Sequence, residues 1–196
     1  LGNARCAMGT CAAGYHTFLP NVGCTACTFG QHQSSTAQTA CTPCAAGNYQ
    51  DQEGEAECTD CALGKLGAGA QQTDETAACQ ECAAGKFQDV VGQTACKDCV
   101  AGTSGSGGTG FESASVACIA CVAGTYQSEL AQATCDACVA GTSGTDANNN
   151  VVAAGQESIG AACFDCAAGK SQPSETGEAA CVDCAAGQFQ VTTAHA

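Results

Sequence analysis

The residues able to do chemistry in this chain are its cysteines, 20 of 196. Nine C-x-x-C pairs run from Cys24/Cys27 to Cys181/Cys184, and Cys6 and Cys11 form a stretched version of the same junction. Three chemistries use such pairs. A four-thiolate zinc site takes two of them, and Cys24-x2-Cys27-x13-Cys41-x2-Cys44 has that spacing. A thiol oxidoreductase takes one, activated at a helix N-terminus in a βαβ setting. A disulfide framework takes them all. Nine pairs do not divide into four-ligand sites without one left over, and the intervals between pairs drift from 13 to 24 residues. Nine copies without a βαβ pattern argue for structure over redox catalysis. Disulfides lead, and a multi-site zinc-binding protein stays as the remote alternative.

Other reactive groups are sparse. His16 and His32 stand five places after Cys11 and Cys27, where other copies carry Tyr or Phe, so each imidazole is expected in an aromatic's seat. His195 has no nameable partner. Asp60, Glu81, Asp98, Asp165 and Asp183 each precede the second cysteine of a junction. Calcium needs six or more oxygens and only one carboxylate recurs per junction, so a solvated face or a local hydrogen bond is the favoured reading. Neither a Ser-His-Asp set, a glycine-rich phosphate loop nor a paired-carboxylate cleft can be located. No enzyme activity, cofactor or metal is expected.

The elements that hold the cysteines are repeats. Ten C-x-x-G motifs open at Cys11, Cys27, Cys44, Cys61, Cys82, Cys99, Cys121, Cys138, Cys166 and Cys184. Residues 1–196 therefore read as a single continuous array of about ten modules, incomplete at both ends. Short modules such as Cys44–Cys58, Cys82–Cys96 and Cys121–Cys135 carry Tyr49, Phe87 or Tyr126 at the fifth place. Long ones, Cys61–Cys79, Cys99–Cys118 and Cys138–Cys163, carry Leu66, Ser104 and Ser143 there, with Gly- and Ser-rich additions that read as exposed loops. Residues 86–91 are a strand candidate with Phe87, Asp89 and Val91 on one face, turned back at Gly92. The C-x-x-G glycine calls for a positive φ or a close backbone approach. Helix is expected nowhere except as a turn, since no segment keeps a 3.6-residue apolar period.

Spacing favours bridges from opening to closing cysteine: Cys11–Cys24, Cys27–Cys41, Cys44–Cys58, Cys61–Cys79, Cys82–Cys96, Cys99–Cys118, Cys121–Cys135, Cys138–Cys163 and Cys166–Cys181. The rival, a bridge inside each C-x-x-C, needs a tight turn, because an extended three-residue step spans roughly 10 Å against the ~7 Å a disulfide allows. Sequence alone leaves both open. The fold expected is a small disulfide-rich repeat array, an elongated rod of stacked one-disulfide modules with short β-hairpins and almost no helix. Aromatics are 5% and Trp is absent, too little for a packed core alone. Net charge is −14 with five Lys plus Arg, which excludes phosphate-backbone binding as a main function. No apolar run reaches a membrane span, and the first residues, LGNARC, contain no signal peptide and read as a trimmed start. Cysteine at this density places the chain outside the cell or on its surface.

The pattern C-x-x-G-x-[FY]-Q … C-x-x-C, seen in CAAGNYQ, CAAGKFQ, CVAGTYQ and CAAGQFQ, resembles the ephrin-receptor-like cysteine-rich repeats. More distantly it resembles the one-disulfide modules of TNF-receptor ectodomains, and the surface immobilisation antigens of ciliates. The resemblance implies an extracellular rod of stacked modules. The family often has Pro after the opening cysteine, where this chain has Ala, Val or Thr28. The leading function is a structural subunit or segment of an extracellular filament or cell-surface coat. The alternative is a receptor-like or surface-antigen ectodomain that binds a partner through the long-module loops. O-linked glycans, if carried, are expected on Thr103, Ser104, Ser106, Thr109, Thr142, Ser143 and Thr145. Cys6 and Cys184 are left over. Twelve residues follow Cys184 and Cys6 is the sixth residue, so joining two chains end to start gives a span of 18 positions, that of Cys61–Cys79. A head-to-tail junction of separate subunits is expected there, its rival being a longer polypeptide of which this is one window.

Overall fold

The computed structural model of the chain describes residues 10–17, 23–146, 148, 150–172 and 177–188. After each C-x-x-G turn from Cys11 to Cys166, two or three residues run extended and pair with the strand that holds the residues between the cysteines of the next C-x-x-C. Asn48–Tyr49 pairs with Thr59–Asp60 in this way, and Lys86–Phe87 with Lys97–Asp98. Among the described residues such pairs give nine two-stranded antiparallel hairpins. The dipeptide inside each junction is thus a strand, which carries its two cysteines apart. One closes its own module and the other opens the next.

Nine disulfides follow, Cys11–Cys24, Cys27–Cys41, Cys44–Cys58, Cys61–Cys79, Cys82–Cys96, Cys99–Cys118, Cys121–Cys135, Cys138–Cys163 and Cys166–Cys181. A two-stranded hairpin is marginal alone, and closing a loop of about 15 residues contributes roughly 3 kcal/mol in the chain-entropy account. The core is correspondingly a row of sulfur. The opening cysteines from Cys11 to Cys138 are buried, Phe87 is the only aromatic buried with them among the described residues, and Val100 and Val122 stand 63% exposed.

Long modules differ from loops in one respect. Each ends in a helical turn directly before its closing cysteine: α1 (Glu75–Ala78), α2 (Ala114–Ala117) and α3 (Ile159–Ala162). Four residues cannot hold a helix by propensity. The next residue is a bridged cysteine, and Ala78, Ala117 and Ala162 are buried. Asp74 caps α1, its Oδ1 accepting the Ala77 N–H at 2.9 Å. The strand expected over 86–91 stops at Phe87, because the Gln88 side chain turns inward and binds the loop that follows.

The chain divides into two compact units, Leu1–Cys82 with Gln88–Cys96 and Gly110–Glu112, and Ala83–Phe87 with Lys97–Thr109 and Ser113–Ala196. The same backbone bonds tie neighbouring modules inside each. In the first unit Cys44 N–H donates to Gly30 C=O at 2.9 Å, Gly30 N–H to Gln50 C=O at 2.8 Å, and Gly54 N–H to Cys27 C=O at 2.9 Å. In the second, Cys121 N–H donates to Gly102 C=O at 2.9 Å, Gly102 N–H to Gln127 C=O at 2.7 Å, and Ala131 N–H to Cys99 C=O at 3.0 Å. Two glycines, Gly30 of the C-x-x-G motif and Gly67 beyond it, show where close backbone approach requires glycine. Gly30 has φ +74°, and a Cβ there would sit 2.6 Å from the Gln71 carbonyl oxygen of the module two further on. Gly67 rests directly on the Gly47 backbone, so a Cβ would overlap it.

Candidate functional site

The recurring site is the seat formed by the fifth residue of one module and the bridge of the next. Tyr49 packs on Cys61, Ala78 and Cys79. Its phenol is pushed above the ordinary range by burial first, and then by the carboxylates of Glu75 and Asp51. His16 places Nδ1 3.2 Å from Cys41 Sγ. Ser143, in the same position, donates its hydroxyl to Cys181 Sγ at 3.1 Å. His32 uses its seat differently, with Nδ1 3.0 Å from the Ala56 carbonyl. His195 lies outside the described residues, as do Phe189 and Gln190 of the last motif.

The residue that sequence reasoning left without a role is the glutamine after the fifth place. Gln33, Gln50, Gln88, Gln127 and Gln172 are all buried. In Gln88, Nε2 donates to Ala95 C=O at 2.5 Å and Oε1 accepts from Val90 N–H at 3.0 Å. Gln33, Gln50 and Gln127 repeat both bonds on the same relative partners. Each amide ties its return loop to the residue before the closing cysteine. Gln172 Nε2 is buried without an acceptor, in a module whose bridged cysteines lie 15 positions apart against 14 in the modules of Gln33, Gln50, Gln88 and Gln127. Long modules carry Gly67, Gly105 and Gly144 at this place, and end in the helical turn instead.

The five junction acids each face a cross-strand residue of their own module: Asn48 for Asp60, Lys65 for Glu81, Lys86 for Asp98, Thr142 for Asp165 and Lys170 for Asp183. Lys86–Asp98 and Lys170–Asp183 are ion pairs at 2.5 and 2.9 Å. Exposed pairs of this kind contribute about 0–1 kcal/mol. Lys65 Nζ reaches forward to Glu75 Oε1 at 2.6 Å, a hydrogen bond that raises its pKa and ties the hairpin to α1.

Of the hydroxyls expected to carry sugar, Thr142, Ser143 and Thr145 are buried. Thr145 donates to Ala179 C=O at 3.0 Å, and its Oγ1 lies 2.9 Å from Ser143 Oγ. Their burial leaves these three hydroxyls little access in the folded chain, whereas Thr103 and Ser104 are half-buried and Ser106 and Thr109 exposed. Cys184 is half-buried with a free thiol, although its N–H donates to Gly169 C=O at 2.9 Å as at every other junction. Cys6 lies outside the described residues.

The sequence pattern described as tyrosine-protein kinase ephrin type A/B receptor-like matches the chain three times, over residues 30–72, 67–107 and 108–149. Those matches span well over half of the chain and follow the C-x-x-G and C-x-x-C places whose geometry is given above. The chain belongs to the ephrin-receptor-like family. No curated protein matches it. Ephrin-receptor-like repeats are a non-catalytic cysteine-rich module type, and with nine disulfides they indicate an extracellular or secreted chain. Among the described residues no helix is long and apolar enough to cross a membrane.

Proposed function

We propose that this ephrin-receptor-like array is a structural segment of an extracellular filament or cell-surface coat, joined head to tail through Cys184 of one chain and Cys6 of the next. Cys184 carries the reading. Its backbone makes the junction bond of an opening cysteine, yet among the described residues its thiol is unpaired. An incoming closing cysteine would complete a module there. The contact is heterologous and propagates unless its rotation closes a ring.

Denaturing gels with and without reductant test the joint. A ladder that collapses on reduction to the 19.1 kDa chain supports it. A large species that survives reduction supports one long polypeptide, and free thiol at both Cys6 and Cys184 in native material rejects the bond. The partner-binding reading rests on an open groove of about 490 Å³ beside a long-module loop, lined by Ser104, Ser106, Ile119, Val122 and Thr125. One saturable ligand on a chain that stays monomeric at every concentration would favour it.

A further inference from the structure

The Cys27–Cys41 bridge differs from its neighbours in what touches it. His16 Nδ1 is 3.2 Å from Cys41 Sγ, and the ligating atoms of His16, Cys27 and Cys41 all lie within 4.8 Å of one another. No other such group of three is found among the described residues. The next bridge is a built-in comparison. His32 holds the equivalent place before Cys44–Cys58, but its Nδ1 is engaged by the Ala56 carbonyl.

We propose that His16, Cys27 and Cys41 form a redox-gated zinc site. While oxidised, the two sulfurs are bonded to each other and close the module. Cys41 is half-buried, so an external dithiol reaches its sulfur more readily than that of the fully buried Cys27. The dithiol gives up two electrons and two hydrogens and becomes a disulfide. The Cys27–Cys41 bond breaks, and both residues become thiols. Zinc then displaces the two thiol protons and takes two thiolates and the His16 imidazole, with water in the fourth position. Two sulfurs, one imidazole and one open place form a known zinc set.

Three features favour this position. The Cα atoms are already 5.6 Å apart, so the thiolates need not be gathered from a distance. The imidazole is in place before reduction. A chain of net charge −14 also draws cations toward it. Zinc binds the reduced form alone, so by linkage it pulls the thiol–disulfide equilibrium toward that form. The consequence is a module whose opening depends jointly on external thiol and on zinc.

The test is equilibration of the full chain in a buffer of reduced and oxidised dithiol, with and without micromolar zinc. Acid quenching, removal of the metal, alkylation and peptide mapping then give the reduced fraction at each bridge. Zinc should raise the reduced-to-oxidised ratio at Cys27–Cys41 by tenfold or more and leave Cys44–Cys58 unchanged. In His16→Phe, which keeps a ring in the seat as Phe87 does, the zinc effect should fall to less than twofold, and in His32→Phe it should persist. An unchanged Cys27–Cys41 ratio, an equal rise at Cys44–Cys58, all bridges opening together, or a full zinc effect in His16→Phe would each overturn the proposal.

Discussion

At the residue scale, the fold turns on a buried glutamine. Gln88 satisfies one N–H and one C=O of its own return loop from inside, and both would face a void without it. Removing one partner of a buried hydrogen bond costs about 1–3 kcal/mol, so Gln88→Ala should speed hydrogen exchange at the Val90 amide by roughly one to two orders of magnitude. Gln172→Ala should cost less, because Gln172 Nε2 has no acceptor to lose. The glutamine was visible in the sequence, as the last letter of C-x-x-G-x-[FY]-Q. Its role was not, since a polar residue beside a turn reads as solvated until burial is known. The same holds for Ala37, Gln71 and Ala131, which adopt φ of 61°, 61° and 58° where other modules use glycine. Their N–H groups are tied to the carbonyls of Cys11, Cys44 and Cys99, and that bond holds a conformation their side chains disfavour.

At the scale of elements, hairpins and junctions were legible because cysteine and glycine spacing sets them directly. The helical turns were harder to see, as four residues carry no period. The cue was local. Asp74, Ser113 and Ser158 each stand five places before a closing cysteine that follows a buried alanine. For α1 the cap has a pH signature. Hydrogen bonds from Thr76 and then the Ala77 N–H lower the Asp74 pKa, so its contribution is present above the ordinary aspartate range and is lost as pH falls through the lowered folded value. Protection of the Ala77 amide against exchange, relative to its intrinsic rate, should fall on acidification through the lowered Asp74 pKa, and Asp74→Ala should show that weaker protection already at neutral pH. The Gly67–Gly47 contact gives a test of junction packing, because Gly67 has no left-handed φ to complicate it. Gly67→Ala forces a methyl into the Gly47 backbone and should destabilise that junction by about 1–3 kcal/mol, read by denaturant titration of the oxidised chain.

At the scale of the molecule, an acidic ephrin-receptor-like chain with few aromatics holds its structure covalently and through repeated backbone bonds. Repetition and secretion chemistry were readable from composition. The seat joining one module's fifth residue to the next module's bridge was not, because residues as different as Tyr49, His16 and Ser143 fill it. Everything above depends on closing cysteines bonding to opening ones while each C-x-x-C stays extended. The most direct test is digestion of the unreduced protein with thiols blocked, followed by mass spectrometry of linked peptides. The account predicts nine linkages, Cys11–Cys24 through Cys166–Cys181, with Thr59–Asp60 and its counterparts joining separate bridges. Linkages inside the junctions, Cys58 to Cys61 or Cys96 to Cys99, would contradict it.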